Sequence, residues 1–450
     1  MTAYPDTPAG WAGRRERGFR RMMDLVFAAH PYYRRRLAEL GLARGDFRSL
    51  ADIERIPPID KGAYMAEPEA FVLDLEGRQD VTPEESTRWR VIYTTGTTQK
   101  PTPFYDTTHD HFSRVNQMTL ATRIAGIGED DVVLNLFPLT PIPHQGFLSA
   151  TYGPMGVGAK LIAALSGKPY ADFPVHRGLD EILDLALRQR PTVLWGVTTY
   201  VRRVIVRAEE RADDLASVRT VFAMGEACPP GMREDMRTRL ARLGARSARI
   251  LGGYGFTEMQ GPTMECAEGS GFHIPTPGEY HFEILDPDSG RLLPEGKHGL
   301  VTISHLNRRG TVLLRYSTGD VSALSSKPCP ACGRLEPRFT VSPYRLSGLT
   351  KVKGTLINPA TIEEELSRVP RLKEYQIVVG KEGGDAYGMD EMIVHVVCDP
   401  PDLGEVSREV MRRARAACEI TPRVVPASRE MVDQLARGYK HRRFVDARPT

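Results

Sequence analysis

Apolar positions at three- and four-residue spacing open the chain. Phe19, Met22, Met23, Val26, Phe27 and His30 recur with arginines between them, which predicts an amphipathic helical region over 14–48. Ile56-Pro57-Pro58-Ile59-Asp60-Lys61 reads as an extended turn before the next helix. Arg90-Val91-Ile92-Tyr93 is a short run that predicts a buried strand. A helix over 108–124 and a strand over 130–137 follow. Strands at 158–164, 192–196, 219–224 and 249–253 then alternate with helices at 179–188, 200–211 and 231–243. That alternation predicts a parallel sheet covered by helices, with ligands at the C-terminal ends of its strands. Residues 281–285, 299–303 and 312–316 read as β. After 345 come a hairpin turning at Lys351-Val352-Lys353-Gly354, a helix at 360–366, strands at 375–379 and 392–397, and a helix at 407–418. The expected class is α/β: a large N-terminal domain of helix-covered sheets, 1–345, and a small C-terminal α+β domain, 346–450.

Composition narrows the function. A 450-residue chain is too long for one ordinary core, and 41% hydrophobic with 26% charged residues is a globular balance. The net charge of +3, without a long basic block, does not suggest nucleic acid. No apolar run reaches membrane-spanning length, and Met1 to Arg15 has no signal-peptide core, so a cytoplasmic enzyme is the expectation. Six cysteines are too few for a disulfide scaffold.

Four places carry candidate chemistry. Thr94-Thr95-Gly96-Thr97-Thr98-Gln99-Lys100-Pro101-Thr102 is dense in hydroxyls, with one glycine and one lysine. Hydroxyls, backbone N–H groups and a point charge can wrap a polyphosphate, although the second Gly-Lys pair of a Walker loop is missing. Taken alone, the stretch is as readily a polar surface turn. Gly225-Glu226-Ala227 and Tyr254-Gly255-Phe256-Thr257-Glu258 follow two expected strands, and Glu258 is a hard oxygen donor suited to Mg²⁺. Asp320, in Ser317-Thr318-Gly319-Asp320, can accept two hydrogen bonds from a ribose diol or close an ordinary turn. Cys329-Pro330-Ala331-Cys332 has zinc-knuckle spacing, and Cys266 and His273 are the best further ligands for a closed, structural Zn²⁺. The proline-rich stretch Pro138 to Phe147 reads equally as the lining of an apolar pocket or as a stiff surface loop. The basic end around Lys440 reads by itself as a solvated tail.

Taken together and in order, these stretches resemble the adenylate-forming (acyl-CoA synthetase/ligase) superfamily. Tyr93 to Thr102 is similar to its phosphate loop, Tyr254 to Glu258 to its Tyr-Gly-x-Thr-Glu turn, Ser317 to Asp320 to its Thr-Gly-Asp, and Lys440 to its mobile catalytic lysine. The cysteine segments look most like the phenylacetate-CoA ligase branch. The resemblance implies ATP-dependent activation of a carboxylic acid as acyl-adenylate, then thioester formation with coenzyme A. It implies that Thr94, Thr95, Gly96, Thr97, Thr98 and Lys100 hold the β- and γ-phosphates. Thr257 would touch the α-phosphate, Glu258 bind Mg²⁺, and Gly225, Glu226, Ala227, Tyr254 and Gly255 frame the adenine. Asp320, helped by Arg345, would hold the ribose. Lys440 would serve the first step from a small domain that then rotates as a lid. An aromatic acid is the leading substrate, with His144, Phe147 and Trp195 at its pocket.

Three departures stand out. Gln99 replaces a glycine of the phosphate loop, Ser347-Gly348 replaces an acidic hinge pair, and the pocket stretch is proline-rich. The altered hinge and pocket leave room for another acceptor, whether an amine, a carrier protein or another small nucleophile; a homodimer is a separate partner expectation. A non-catalytic nucleotide-binding protein is the rival from another class; the presence of both Lys440 and Glu258 argues against it.

Overall fold

A computed structural model describes residues 7–93, 103–139, 145–167, 174–345, 350–352, 355–381, 390–418, 420–430 and 443–448. The helical region expected over 14–48 starts earlier, ends earlier and breaks once. Helix Pro8–Ala29 buries Phe19, Met22, Met23, Leu25 and Val26, and a second helix runs Pro31–Glu39. Pro31 forces the break, because a proline suits the first turn of a helix and not its interior. His30 caps the second helix, its Nδ1 accepting from the Tyr33 N–H at 3.2 Å.

β1 (Arg88–Tyr93) and β2 (Pro103–Thr107) form an antiparallel hairpin in which Tyr93 pairs with Pro103. Of β1 only Ile92 is fully buried, so it is a half-exposed ribbon and not the buried strand expected. The largest sheet is built from β3 (Val132–Asn135), β4 (Lys160–Ala163), β5 (Val193–Val197), β6 (Thr220–Met224), β7 (Arg249–Phe256), β8 (Gly261–Met264) and β9 (Phe272–His273). Two short strands, β13 (Leu324–Ser325) and β14 (Arg338–Phe339), complete it. Its order is β13-β14-β9-β8-β7-β6-β5-β3-β4. From β4 to β7 the strands are parallel. β5 and β6 are buried at every position, which is why they read as unbroken apolar runs. Helices Leu179–Gln189, Thr198–Arg211 and Pro230–Arg242 cover one face through Ile182, Val204, Ile205, Met236 and Leu240. Helices Thr108–Ile124 and Gln145–Val157 cover the other through Ala121, Ile124 and Ala150. The chain leaves β3 for β4 on one side and returns to β5 on the other. Such a reversal opens a crevice at the strands' C-terminal ends.

A second sheet, antiparallel, takes β10 (Tyr280–Leu285), β11 (Gly299–His305), β12 (Tyr316–Ser322) and β15 (Tyr344–Arg345) in that order. The strand expected at 312–316 begins only at Tyr316. Side chains take the backbone N–H groups that a ladder would use: Leu313 donates to His305 Nδ1 at 3.2 Å, Leu314 to the Tyr33 hydroxyl at 2.8 Å and Arg315 to Ser304 Oγ at 2.8 Å. Arg315 is also left-handed, with φ +48°. As a result Asp320 lies inside β12 and not after a strand.

Residues from Thr350 onward form a hairpin, β16 (Thr350–Val352) with β17 (Thr355–Ile357), and a separate sheet. That sheet runs β20 (Arg423–Pro426), β19 (Asp390–Val397), β18 (Glu374–Lys381), β21 (Phe444–Asp446). Helices Pro359–Leu366 and Leu403–Cys418 pack on it, and its core of Ile362, Leu366, Ile377, Val379, Val394, Val406 and Val410 is its own. The α/β class expected from the sequence is the class adopted. No described helix is long and apolar enough to cross a membrane.

Candidate active site

β7 continues through Gly252-Gly253-Tyr254-Gly255-Phe256, so the turn expected from Tyr254 falls later, at 257–260. Gly255 is needed there: a Cβ would stand 2.9 Å from the Gly261 carbonyl oxygen of β8. Tyr254 and Asp320 come together, the phenol donating to Asp320 Oδ2 at 2.8 Å. Asp320 is 6% exposed, and its N–H donates to Thr318 Oγ1 at 3.1 Å. Arg345 pairs with Asp320 through the backbone; its side chain is outside the described residues.

The turn after β7 presents Thr257, half-buried, and Glu258, 8% exposed. Tyr316, the first residue of β12, donates to Glu258 Oε1 at 2.8 Å. The turn's carbonyls are also held. His305 Nε2 lies 2.8 Å from the Glu258 oxygen. Tyr280 donates to the Met259 oxygen at 2.9 Å and Arg308 at 3.2 Å. Burial lowers the His305 pKa to about 3, so the imidazole is neutral. Its Nδ1 accepts from Leu313, which leaves the proton on Nε2, the nitrogen facing Glu258. No motif pointed to Tyr316 or His305; their partners are distant in sequence.

At the end of β6, Gly225 takes φ +81°, a left-handed turn that suits glycine. Glu226 folds back on helix Thr198–Arg211: its carboxylate accepts from Thr199 Oγ1 at 2.6 Å and the Thr199 N–H at 3.2 Å. A carboxylate is favoured at a helix N-terminus. Ala227 is exposed. The small sheet's helix Pro359–Leu366 approaches here. Desolvation pushes half-buried Glu363 up to about 7, opposed by Arg443 and reinforced by Glu226.

Of the expected pocket residues, Phe147 is half-buried and shares an apolar cluster with Trp195. Trp195 has no exposed surface. Its indole N–H points to Met224 Sδ at 3.1 Å and its ring lies 5.0 Å from Phe222. It is floor within the sheet, not an open wall, because β5 is covered on both faces. Thr94, Thr95, Gly96, Thr97, Thr98, Gln99, Lys100, His144, Ser347, Gly348, Lys353, Gly354 and Lys440 lie outside the described residues.

Cys266, His273, Cys329 and Cys332 converge, with one ligand atom from each within 4.8 Å of the others. The Cys266 and Cys329 sulfurs are 3.8 Å apart, and Cys332 Sγ is 3.7 Å from His273 Nε2. His273 belongs to β9, while a tight loop closed by the Gly333 N–H on the Cys329 carbonyl, at 2.8 Å, brings the two later cysteines in.

Residues 44–307, more than half the chain, match the family model for AMP-binding enzymes. The chain belongs to this family. As an AMP-binding enzyme it is 30% identical to the phenylacetate-coenzyme A ligase of Thermus thermophilus, over 88% of this chain and 83% of that one. It is 27% identical to the Pseudomonas putida phenylacetate-coenzyme A ligase, over 84% and 82%. A crystal structure of 2-hydroxyisobutyryl-CoA ligase in the postadenylation state shares the fold, with a TM-score of 0.79 and 21% identity over 98% of this chain and 89% of that chain.

Proposed function

We propose that this AMP-binding enzyme is an ATP-dependent, AMP-forming acid–CoA ligase. One carboxylate oxygen of the acid attacks the α-phosphorus of ATP, and the bond to the bridging oxygen breaks to release pyrophosphate. The thiol of coenzyme A, losing its proton, then attacks the acyl carbon, and the carbon–oxygen bond to AMP breaks. The observation that carries the reading is the pairing of Tyr254 with Asp320 beside the Glu258 turn, at the C-terminal ends of a parallel sheet, in a chain with phenylacetate-CoA ligase relatives.

The residue roles follow from chemistry. Asp320 accepts the ribose hydroxyls, with Tyr254 fixing its carboxylate. Gly225, Glu226 and Ala227 border the adenine. Thr94 to Thr98 and Lys100 take the β- and γ-phosphates, and Thr257 the α-phosphate. Glu258 offers the hard oxygen that Mg²⁺ prefers; a bound Mg²⁺ supplies charge neutralisation on the phosphates. Residues 346–450 act as a lid carrying Lys440. Phe147, His144 and the apolar floor over Trp195 support an aromatic acid.

Zn²⁺ in the cysteine–histidine cluster is part of the same proposal. An ion about 2.3 Å from each sulfur puts neighbouring sulfurs roughly 3.8 Å apart, the separation of Cys266 and Cys329. With all four positions taken by protein, its contribution would be structural. A reducing, cytoplasmic setting, which keeps thiols available to such an ion, belongs to the same reading.

The test is incubation with ATP, Mg²⁺, coenzyme A and a panel of aromatic acids, with the thioester read by mass spectrometry. A thioester with one acid supports the reading. AMP release without thioester would move the acceptor to an amine or carrier protein, and no nucleotide turnover with any acid would reject a ligase. Lys440→Ala should slow adenylation strongly while a supplied acyl-adenylate still reacts.

A further inference from the structure

Helix Thr108–Ile124 carries Asp110, Arg114 and Gln117 along one stripe, at 1%, 0% and 0% exposure. A buried guanidinium is costly unless its donors are used. Nε and Nη2 of Arg114 reach two separate elements, while its Nη1 is buried with no partner among the described residues. Its Nη2 lies 2.6 Å from both carboxylate oxygens of Asp106 and shares its two N–H donors among them and Gln260 Oε1. Its Nε donates to the Gln260 carbonyl at 3.2 Å, and Nη2 also meets Gln260 Oε1. Asp106 lies on β2 and takes a second arginine, Arg90 of β1, at 2.9 Å. β1 and β2 are the strands that enter and leave residues 94–102. Gln260 closes the turn bearing Thr257 and Glu258, and does so at φ +59°. A side chain held in that region needs support from its surroundings. Three consecutive carbonyls therefore have buried donors: Glu258 from His305, Met259 from Tyr280 and Arg308, Gln260 from Arg114.

We infer that Arg114 is a positioning residue for adenylate formation. Through Asp106 and Gln260 it sets the strands that flank the hydroxyl loop and the Thr257–Glu258 turn in one frame, an arrangement present before ATP arrives. The inference rests on reading those two segments as phosphate and metal ligands. Arg114 itself touches no substrate. A purely structural ion pair would lower stability and both half-reactions together. A positioning residue lowers the first half-reaction alone.

Arg114→Lys separates these. It keeps a charge beside Asp106, but a single ammonium cannot replace the planar fork that serves two partners. Three readouts are needed: melting temperature, acid-dependent ATP–pyrophosphate exchange, and thioester formation from a supplied acyl-adenylate. Misplacing a reacting group by 1 Å costs on the order of 100-fold. The expected result is an exchange rate lower by about 100-fold, with thioester formation from the adenylate unchanged. Exchange at the wild-type rate, or an equal fall in both half-reactions, overturns the inference. Should Arg114→Lys not fold, Gln260→Gly decides: it eases the left-handed turn and removes the buried side chain with its Oε1 contact, while the backbone carbonyl can still accept from Arg114 Nε. An unchanged exchange rate there also overturns the inference, and a lower one with an intact second step supports it. Wild-type protein that exchanges with no acid removes the functional reading itself, and this inference with it, a result that the variants do not mimic.

Discussion

Tyr316 shows how much a single hydroxyl is asked to do. It holds Glu258 Oε1 at 2.8 Å from the first position of β12. A hydrogen bond to a charged group contributes about 1.5–3 kcal/mol. Tyr316→Phe should therefore slow ATP–pyrophosphate exchange by roughly tenfold or more and raise the Mg²⁺ concentration needed for half-maximal rate. An unchanged Mg²⁺ response would separate Tyr316 from metal binding. Buried histidines set the acid limit. Burial lowers His30 and His281 to about 4 and His305 to about 3, against an ordinary value of 6.5. Below pH 6.5 the unfolded chain binds protons that the folded chain refuses, so stability is fully present above 6.5 and is lost as pH falls towards 4 and 3. Urea midpoints at pH 7.5, 6.0 and 5.0 should fall in that order; a flat series would contradict the neutral state assigned to these imidazoles. Among the residues that the structure brings together, Asp320, Tyr254 and Glu258 were legible because glycine-containing motifs flag them. Tyr316 and His305 were not, since their partners lie 58 and 47 residues away in sequence. Arg114 left a trace: polar residues at 110, 114 and 117 keep helical spacing on a helix whose apolar stripe is weak.

Elements were most legible where one force dominates. β5 and β6 are covered on both faces, so their apolar runs translate directly into strands. Strand limits depart from the apolar pattern where side chains replace ladder bonds, as at Leu313 and Leu314, and where glycines continue a strand, as in β7. Close packing accounts for the second case, because Gly255 faces the Gly261 carbonyl across the β7–β8 hairpin. Gly255→Ala should push that hairpin apart, lower the melting temperature by several degrees and reduce nucleotide binding. Retention of both would mean that the strands can shift at little cost. The cysteine–histidine cluster ties the β8–β9 link to the loop at Cys329–Gly333. With zinc bound, metal analysis should return one ion per chain. Cys329→Ser with Cys332→Ser should remove it and lower the melting temperature, while the adenylation rate per folded molecule stays close to wild type. Metal-free protein of equal stability would leave the four residues without an ion to hold.

At the scale of the whole molecule, the small sheet meets the large part through Glu374. Arg202 of helix Thr198–Arg211 reaches Glu374 Oε2 at 3.2 Å, and Arg443 reaches Oε1 at 3.1 Å. Arg443 stands three positions beyond Lys440, so the same carboxylate links the large part to the segment proposed to deliver the lysine. An ion pair with limited exposure contributes about 1 kcal/mol, roughly fivefold in a population ratio. Arg202→Ala should lower pyrophosphate exchange by about that factor and spare the reaction of a supplied acyl-adenylate. Equal loss in both steps would show that this contact does not bias one arrangement over another. The proposed acid activation takes place where Tyr254 of β7 meets Asp320 of β12, and acid-dependent exchange of labelled pyrophosphate into ATP reads that step alone. The purified chain should incorporate label only when a suitable carboxylic acid is present, and Asp320→Ala should lose that incorporation while remaining folded. Incorporation that persists without acid, or that survives in Asp320→Ala, would contradict the account.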